Sequence, residues 1–338
     1  MLGSLDEVAL AIKRYERFLV TWHVDPDPDS VGSGLALREA LEQAGKEAVC
    51  ISPDPLGDWY DFLPGVEDCL AFQMGMQLDF EAAIVLDCEP DRCGGLVEYL
   101  NSGIPLINID HHGTNLGSGK AFCVNPEAAA TGELIYELLK NRWQTALTEE
   151  IATNLFAALS GDTGTFRYSN TTGQTLQIAG ELVQHGANPA KIAMHLYENR
   201  AYETVNLMRR ALDTLEISED GLVSWITVTR AMSGEDRWIG QHSEDLVQFP
   251  RMIKTVKLAI LFREIEPEKT KASFRSRSGI DASYIASLFG GGGHAQAAGC
   301  TIHSPLAEAR AQVLDAVVRE LHRAQQARIA GGNGAESR

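Results

Sequence analysis

The densest cluster of chemically competent side chains is a run in which one histidine and three aspartates alternate with other residues: His23, Asp25, Asp27 and Asp29. The run follows a short apolar stretch with strand character, so these four side chains can converge on one edge of a sheet. Carboxylates held this close together repel one another unless a cation lies between them. Hard divalent cations accept carboxylate and imidazole ligands, so the run predicts a metal site. An acidic loop that caps the next helix is the alternative.

Two further apolar stretches end in residue types that commonly bind metal ions. Asp87 lies at the end of AAIVLDC, and Asp110, His111 and His112 end or follow IPLINID. In an open parallel sheet, ligands bind beyond the carboxyl ends of the strands. Three separate strands thus bring acidic and imidazole side chains to one edge, which predicts a binuclear metal centre.

Asp162 is a further candidate, in the segment LSGDTGTFRYSNT just after a helical pattern. The Gly-Asp-Thr-Gly sequence is also compatible with a simple helix stop. Arg167 and Tyr168 in the same segment fit packing and substrate contact equally well.

A second group of candidates lies near the carboxyl end, in the sequences FRSR and GGGGH. Arginines pair with phosphates or carboxylates, and glycines let backbone amides approach an anion. An exposed strand and a flexible turn are the alternative. Together the two sequences favour an anion site made of Arg275, Ser276, Arg277, Gly291, Gly292, Gly293 and His294.

Strand and helix patterns alternate in the first half of the chain. Strand patterns lie at 18–22, 47–52, 82–88 and 104–110. Near-continuous apolar strands that alternate with helices are typical of a parallel sheet covered on both faces, so the predicted fold class is α/β. Further helical patterns lie at 131–143, 148–160 and 172–185.

The composition changes at about residue 213, where several strand patterns precede a last helix. The sequence therefore predicts a catalytic metal-binding domain over 1–186, a helical linker over 187–212 and a smaller, mixed-sheet α/β substrate-binding domain over 213–328. The composition of 329–338 predicts a disordered tail.

Charge and composition exclude several classes of protein. With 29 basic and 46 acidic residues, the net charge of −17 argues against gripping a long nucleic acid by its backbone. No apolar run approaches the ~20 residues that cross a bilayer, and the first residues lack a signal-peptide core, so we expect a cytoplasmic protein without a membrane partner. Six cysteines without a C-x-x-C pair indicate reduced thiols, although Cys88 and Cys93 are spaced to form a redox couple.

These motifs together resemble those of the DHH phosphoesterases. The resemblance rests on His23-x-x-Pro26-Asp27-x-Asp29-x-x-Gly32-Ser33, Asp87, Asp110-His111-His112 and Asp162. FRSR and GGGGHAQAAG resemble the DHHA1 domain that follows in one branch of the family. Within that branch, length and motif order are most similar to the bifunctional oligoribonucleases and pAp phosphatases of nano-RNase type.

The resemblance implies two Mn²⁺ ions, with Mg²⁺ as the alternative cofactor. By the family pattern, His23 and Asp27 would hold one ion and Asp29 and His111 the other, while Asp87 would bridge both. Asp162 would be a further ligand.

The resemblance also implies roles for the remaining candidates. His112 would face the scissile phosphate, and Asp110 would orient its neighbouring histidine. Arg275, Arg277 and His294, with Ser276 and the glycines, would hold the remaining phosphates of the substrate.

The implied activity is hydrolysis of short oligoribonucleotides and of 3′-phosphoadenosine 5′-phosphate (pAp) by a metal-bound hydroxide. A linear or cyclic dinucleotide phosphodiesterase, an inorganic pyrophosphatase and a non-catalytic nucleotide-binding protein are the alternatives. A homodimer is compatible with the sequence. Two positions depart from the family pattern: Asp25 replaces a common asparagine and adds a negative charge, and Pro28 replaces a common glycine and fixes φ.

Overall fold

A computed structural model describes residues 1–233, 243–277 and 280–332. The chain forms two compact units, Met1–Asn199 and Arg200–Arg338, each with its own sheet. The boundary between them falls inside the range 187–212. Within the described ranges, no helix is long and apolar enough to cross a bilayer.

The first unit is built on one seven-stranded sheet. Its strands are β1 (Leu2–Gly3), β2 (Arg17–Thr21), β3 (Glu47–Ser52), β4 (Leu70–Ala71), β5 (Ala82–Leu86), β6 (Leu106–Asp110) and β7 (Ala121–Val124). Their order is β1-β7-β6-β5-β2-β3-β4, and every neighbouring pair is parallel except β1 with β7. Because β5 is buried along its whole length, the sheet is covered on both faces, as its continuous apolar sequence requires.

Helices surround this sheet. They are α1 (Leu5–Ile12), α2 (Pro28–Gln43), α3 (Val97–Leu100), α4 (Thr131–Leu138), α5 (Glu149–Asp162), α6 (Gly173–Gln184) and α7 (Pro189–Ala193). The helix predicted over 131–143 is α-helical only to Leu138, because the chain continues as a π-helical turn over Leu139–Trp143. Gln144, with φ of 53°, ends that turn.

Helix α2 begins where the histidine and aspartate run ends. Asp27 caps its N-terminus, and Pro28, whose fixed φ suits the first helical position, begins it. Gly32 lets α2 approach α5 closely, since a Cβ atom there would lie 2.4 Å from the backbone oxygen of Asn154. This packing fixes the first turn of α2, including Asp29, at the edge of the sheet.

The second unit is built on a six-stranded mixed sheet. Its strands are β8 (Glu216–Ile217), β9 (Val223–Val228), β10 (Leu258–Glu266), β11 (Lys269–Ser276), β12 (Gly292–His294) and β13 (Ala297–Ile302). The order is β12-β13-β11-β10-β9-β8, with β9 and β10 parallel and the other pairs antiparallel. The α/β fold class with a second, mixed sheet is therefore confirmed.

The helices of the second unit are α8 (Tyr202–Leu212), α9 (Arg230–Ser233), α10 (Gln248–Met252), α11 (Ala282–Ser287) and α12 (Leu306–Gly332). Helix α12 includes residues 329–332 of the segment predicted as a tail, because the helix formers of QQARIA continue it to Ala330, and it ends at Gly331 and Gly332. Residues 333–338 of the predicted tail lie outside the described residues.

Candidate metal centre

Three parallel strands of the first unit end at one edge of its sheet, and candidate ligands follow each of them. His23 comes two residues after β2, Asp87 directly follows β5, and His111 directly follows β6. All three side chains are buried. The sheet topology therefore brings together residues that are far apart in sequence.

His23 is held in a defined orientation. Its Nδ1 donates to the carbonyl oxygen of Val24 at 2.7 Å. Its Nε2 lies 3.5 Å from Oδ2 of Asp87 and 3.9 Å from Oδ2 of Asp27. With Nδ1 occupied by the backbone, Nε2 is the nitrogen directed at the carboxylates.

Asp29 is fully buried at the first turn of α2. Its carboxylate accepts hydrogen bonds from the backbone N–H groups of Thr131 at 2.7 Å and Gly132 at 2.9 Å. The hydroxyl of Ser33 donates to it at 3.1 Å. Asp25, in contrast, is exposed, with φ of 51°.

Asp87 lies at the centre of the cluster and is 1% exposed. Its φ of 63° is in the left-handed region, which a non-glycine residue rarely adopts and which is common at functional sites. Its Oδ1 accepts from the hydroxyl of Thr131 at 2.9 Å and lies 3.5 Å from Nε2 of His111. The carboxylate therefore lies between His23 and His111.

His111 joins Asp87 to the end of helix α5. Its Nδ1 donates to the carbonyl oxygen of Ala128 at 3.2 Å. Its Nε2 lies 3.1 Å from Oδ2 of Asp162, the last residue of α5, and 3.8 Å from Oδ2 of Asp29. His111 thus faces carboxylates from three different elements.

His112 and Asp110 form a separate hydrogen-bonded pair. The backbone N–H and the Nδ1 of His112 both contact Oδ1 of Asp110, at 3.0 and 2.8 Å. Asn115 donates to Oδ2 at 2.7 Å. Although burial alone would raise the pKa of Asp110, the hydrogen bonds from His112 and Asn115 lower it to about 2. Asp110 is therefore an ionised group that orients the ring of His112.

The ligand atoms form three overlapping groups, and the atoms of each group lie within 4.8 Å of one another. The groups are His23, Asp27 and Asp87; Asp29, His111 and Asp162; and Asp87, His111 and His112. Carboxylate oxygens and imidazole nitrogens are the donors that Mn²⁺, Mg²⁺ and related divalent cations accept. The residues present therefore fit a divalent metal.

The electrostatics of the cluster point to the same conclusion. Burial, followed by the charge of Asp162, raises the pKa of Asp29 to about 7. Burial and the neighbouring carboxylates of Asp29 and Asp27 raise the pKa of Asp87 well above its usual range. Without a cation the ionised forms are disfavoured, so a divalent ion would stabilise the arrangement.

Cys88 and Cys93 are free thiols, buried, with their sulfur atoms 3.9 Å apart. Burial raises the pKa of Cys88 well above its usual range. An inaccessible, protonated thiol is inert, so the geometry favours a packing role over a redox couple.

The candidate anion site of the second unit has its own local contacts. The guanidinium of Arg277 donates to the backbone oxygen of Arg251 at 2.9 Å, and the hydroxyl of Ser276 donates to that of Ala295 at 2.8 Å. Arg275 is half-buried and donates to the backbone oxygen of Phe274 at 3.0 Å. Strand β11 carries Arg275 and Ser276, and Arg277 directly follows it.

Gly291 and Gly293 are required by the packing and backbone of the β12–β13 hairpin. A Cβ atom at Gly291 would lie 2.2 Å from the backbone oxygen of Gly299, and Gly293 has a φ of 134°. Gly292 pairs with Gly299 across the two strands. His294 ends β12, and its side chain lies outside the described residues.

Comparison with known proteins identifies the family. The profile of the DHH family N-terminal domain matches residues 17–159, and that of the DHHA1 domain matches residues 221–323. The bifunctional oligoribonuclease and PAP phosphatase NrnA of Thermus thermophilus is 36% identical over 310 residues, which cover 90% of each chain. This chain belongs to the DHH family. The NrnA of Bacillus subtilis is 28% identical over 88% of this chain and 93% of its own.

A solved structure supports the fold assignment of this DHH-family chain. An exopolyphosphatase-related protein from Bacteroides fragilis superposes with a TM-score of 0.84 at 24% identity and covers 94% of this chain and 95% of its own. The resemblance inferred from the four motifs is confirmed, and the chain is a DHH-family phosphoesterase, a hydrolase with a candidate metal site.

Thr131, which the sequence does not single out, contacts two of the candidate metal ligands of this DHH domain. Its backbone N–H binds Asp29 and its hydroxyl binds Asp87. The signal available in the sequence was a threonine and a glycine at the start of a helical pattern. That pattern predicts a helix start and gives no indication of which carboxylates the start would meet.

Proposed function

We propose that this chain hydrolyses short oligoribonucleotides and pAp in a manganese-dependent reaction. The observation that carries the proposal is the buried ligand cluster around Asp87. It occurs in a chain that matches the NrnA of Thermus thermophilus over 90% of its length, and that protein is named for both activities.

Six side chains are the proposed metal ligands: His23, Asp27, Asp29, Asp87, His111 and Asp162. His23 and Asp27 would hold one ion, Asp29, His111 and Asp162 would hold a second, and Asp87 would bridge the two. The two groups of ligand atoms that contain His23 and Asp162 share no residue, which supports this division, and the third group joins them through Asp87 and His111. When bound, divalent ions activate water and neutralise charge on phosphoryl oxygens.

The other candidate residues of each unit are proposed to act on the substrate. Asp110 accepts from Nδ1 of His112, so in the cationic form of the ring the opposite nitrogen, Nε2, can donate to an oxygen of the scissile phosphate. Arg275 and Arg277, with Ser276, the amides of Gly291–Gly293 and His294, would bind the phosphates that are not cleaved.

The net charge predicts selection by substrate length. A chain with a charge of −17 offers no extended basic track, so its affinity cannot grow much with the length of an RNA. We expect RNAs of two to five nucleotides to be hydrolysed faster than an RNA of about 24 nucleotides. Initial rates at equal strand concentration, with Mn²⁺ present, test this. Equal or faster hydrolysis of the long RNA would favour a processive nuclease.

A panel of substrates separates the proposed activity from its alternatives. The panel contains pAp, the short RNAs, linear and cyclic dinucleotides and pyrophosphate, each with and without Mn²⁺. Hydrolysis of pAp and short RNA above the other substrates supports the proposal. Preferential hydrolysis of cyclic dinucleotides or of pyrophosphate supports the corresponding rival, and binding without hydrolysis indicates a nucleotide-binding protein.

A further inference from the structure

We propose that Asn170 is a positioning residue that sets the metal affinity of the centre. It does so by tying the end of helix α5, which carries Asp162, to residues 128–131, which we call the ligand-holding segment. The inference rests on the metal-dependent function proposed above and deepens it.

The ligand-holding segment contacts three proposed metal ligands. The carbonyl oxygen of Ala128 accepts from Nδ1 of His111 at 3.2 Å. The backbone N–H of Thr131 donates to Asp29 at 2.7 Å, and its hydroxyl donates to Asp87 at 2.9 Å. A shift of this short segment would therefore move or release all three ligands together.

The peptide groups of Ala129, inside this segment, are held from both sides. Its N–H donates to Oε2 of Glu133 at 3.2 Å, and the same carboxylate oxygen accepts from the hydroxyl of Thr175 at 3.1 Å. Its carbonyl oxygen accepts from Nδ2 of Asn170 at 3.0 Å. Hydrogen bonds to side chains, rather than the regular backbone hydrogen bonds of a helix or sheet, thus hold the N–H and carbonyl groups of Ala129.

The same Nδ2 of Asn170 also donates to the backbone oxygen of Asp162 at 3.1 Å. Asp162 is the last residue of α5, where carbonyl groups lack a partner within the helix and need a donor from elsewhere. The carboxylate of Asp162 lies 3.1 Å from Nε2 of His111. The amide of Asn170 therefore links the backbone of Asp162 to the segment that orients His111.

The orientation of the amide shows that these two bonds decide its placement. Both contacts are carbonyl oxygens, so only the NH₂ group can face them. Its Oδ1 is buried without a hydrogen-bond partner among the described residues. Leaving a buried acceptor unsatisfied disfavours the folded state, so the two donor contacts are what holds the side chain in this rotamer.

Some residues orient the metal ligands without contacting the ion. Mutating such a residue typically lowers the affinity of the site for the ion by about 10- to 100-fold. We therefore expect Asn170→Asp, which has the same shape but places an anion against two carbonyl oxygens, to weaken Mn²⁺ binding by about this factor. Saturating Mn²⁺ should restore kcat for pAp, and KM should stay unchanged. Asn170→Ala removes both bonds without adding charge and should act in the same direction.

Asn141→Asp is the matched control. Asn141 is an exposed residue of the same unit, its amide donates to Glu137, and the substitution changes the net charge equally. Its Mn²⁺ affinity should equal that of the wild type. Affinities are measured by competition with a chelator, at a temperature where far-ultraviolet circular dichroism shows each variant to be folded.

Folded Asn170 variants with wild-type Mn²⁺ affinity would overturn the inference, as would a loss of kcat that saturating Mn²⁺ does not restore. A wild-type chain that binds Mn²⁺ but leaves pAp and short RNA intact would refute the proposed function alone, because the affinity comparison still tests Asn170. A wild-type chain that binds no Mn²⁺ would refute both.

Discussion

The Asp87→Ala variant is expected to hydrolyse pAp and a diribonucleotide at least about 1,000-fold more slowly than the wild type. Asp87 contributes to two of the three groups of ligand atoms and lies between His23 and His111. Its removal therefore disturbs both proposed ion positions at once. The measurement is kcat with Mn²⁺ in excess, for both substrates.

Asp91→Ala is the control for this variant. Asp91 is an exposed carboxylate in the turn after the same strand, so its removal changes the net charge equally without touching the cluster. It should retain wild-type rates. Because burial raises the pKa of Asp87, its removal should not weaken the metal-free fold, which thermal unfolding checks. Wild-type kcat in Asp87→Ala would refute the proposed bridge.

Arg275→Ala is expected to raise KM and lower kcat for pAp and dinucleotides, with kcat/KM falling by roughly 10- to 150-fold. Loss of one charge-assisted contact costs about 1.5–3 kcal/mol, which corresponds to that range. Part of this binding energy is realised only in the transition state, so kcat also falls. Bis-p-nitrophenyl phosphate has no second nucleotide to anchor, so its hydrolysis should change little. Steady-state kinetics on the three substrates make the comparison.

Lys269→Ala provides the matched control for Arg275→Ala. Lys269 lies at the other end of the same strand and pairs with Glu266 at 3.5 Å. Its removal takes away one positive charge and should leave the kinetics unchanged. If Arg275→Ala lowered kcat/KM equally for bis-p-nitrophenyl phosphate and pAp, the substitution would have damaged folding. Unchanged kinetics on every substrate would show that β11 has a structural role and does not bind the substrate.

The four central strands of the first unit, β2, β3, β5 and β6, could be predicted because they are nearly continuous apolar runs. AAIVL is buried along its whole length, and such a sequence, rich in β-branched residues and short, is typical of a strand covered on both faces. Because neighbouring parallel strands end at the same edge of a sheet, Asp87 and His111 are expected to lie near each other.

The contacts that orient the ligands could not be predicted in the same way. Thr131 binds Asp29 across 102 positions of sequence and Asp87 across 44, and Asn170 reaches Ala129 across 41. Such hydrogen bonds depend on how helices pack over the sheet, which the periodicity of a single element does not encode. The π-helical turn after α4 escaped prediction because its sequence continues the helical pattern.

The most direct test of the central claim is a manganese titration of metal-free protein, with bound Mn²⁺ and pAp hydrolysis followed in the same samples. The account predicts no hydrolysis by the metal-free chain, and a rate that rises with bound metal to its maximum at two ions per chain. Hydrolysis of pAp by the metal-free chain at the rate of the loaded one, or full manganese binding that leaves pAp intact, would contradict it.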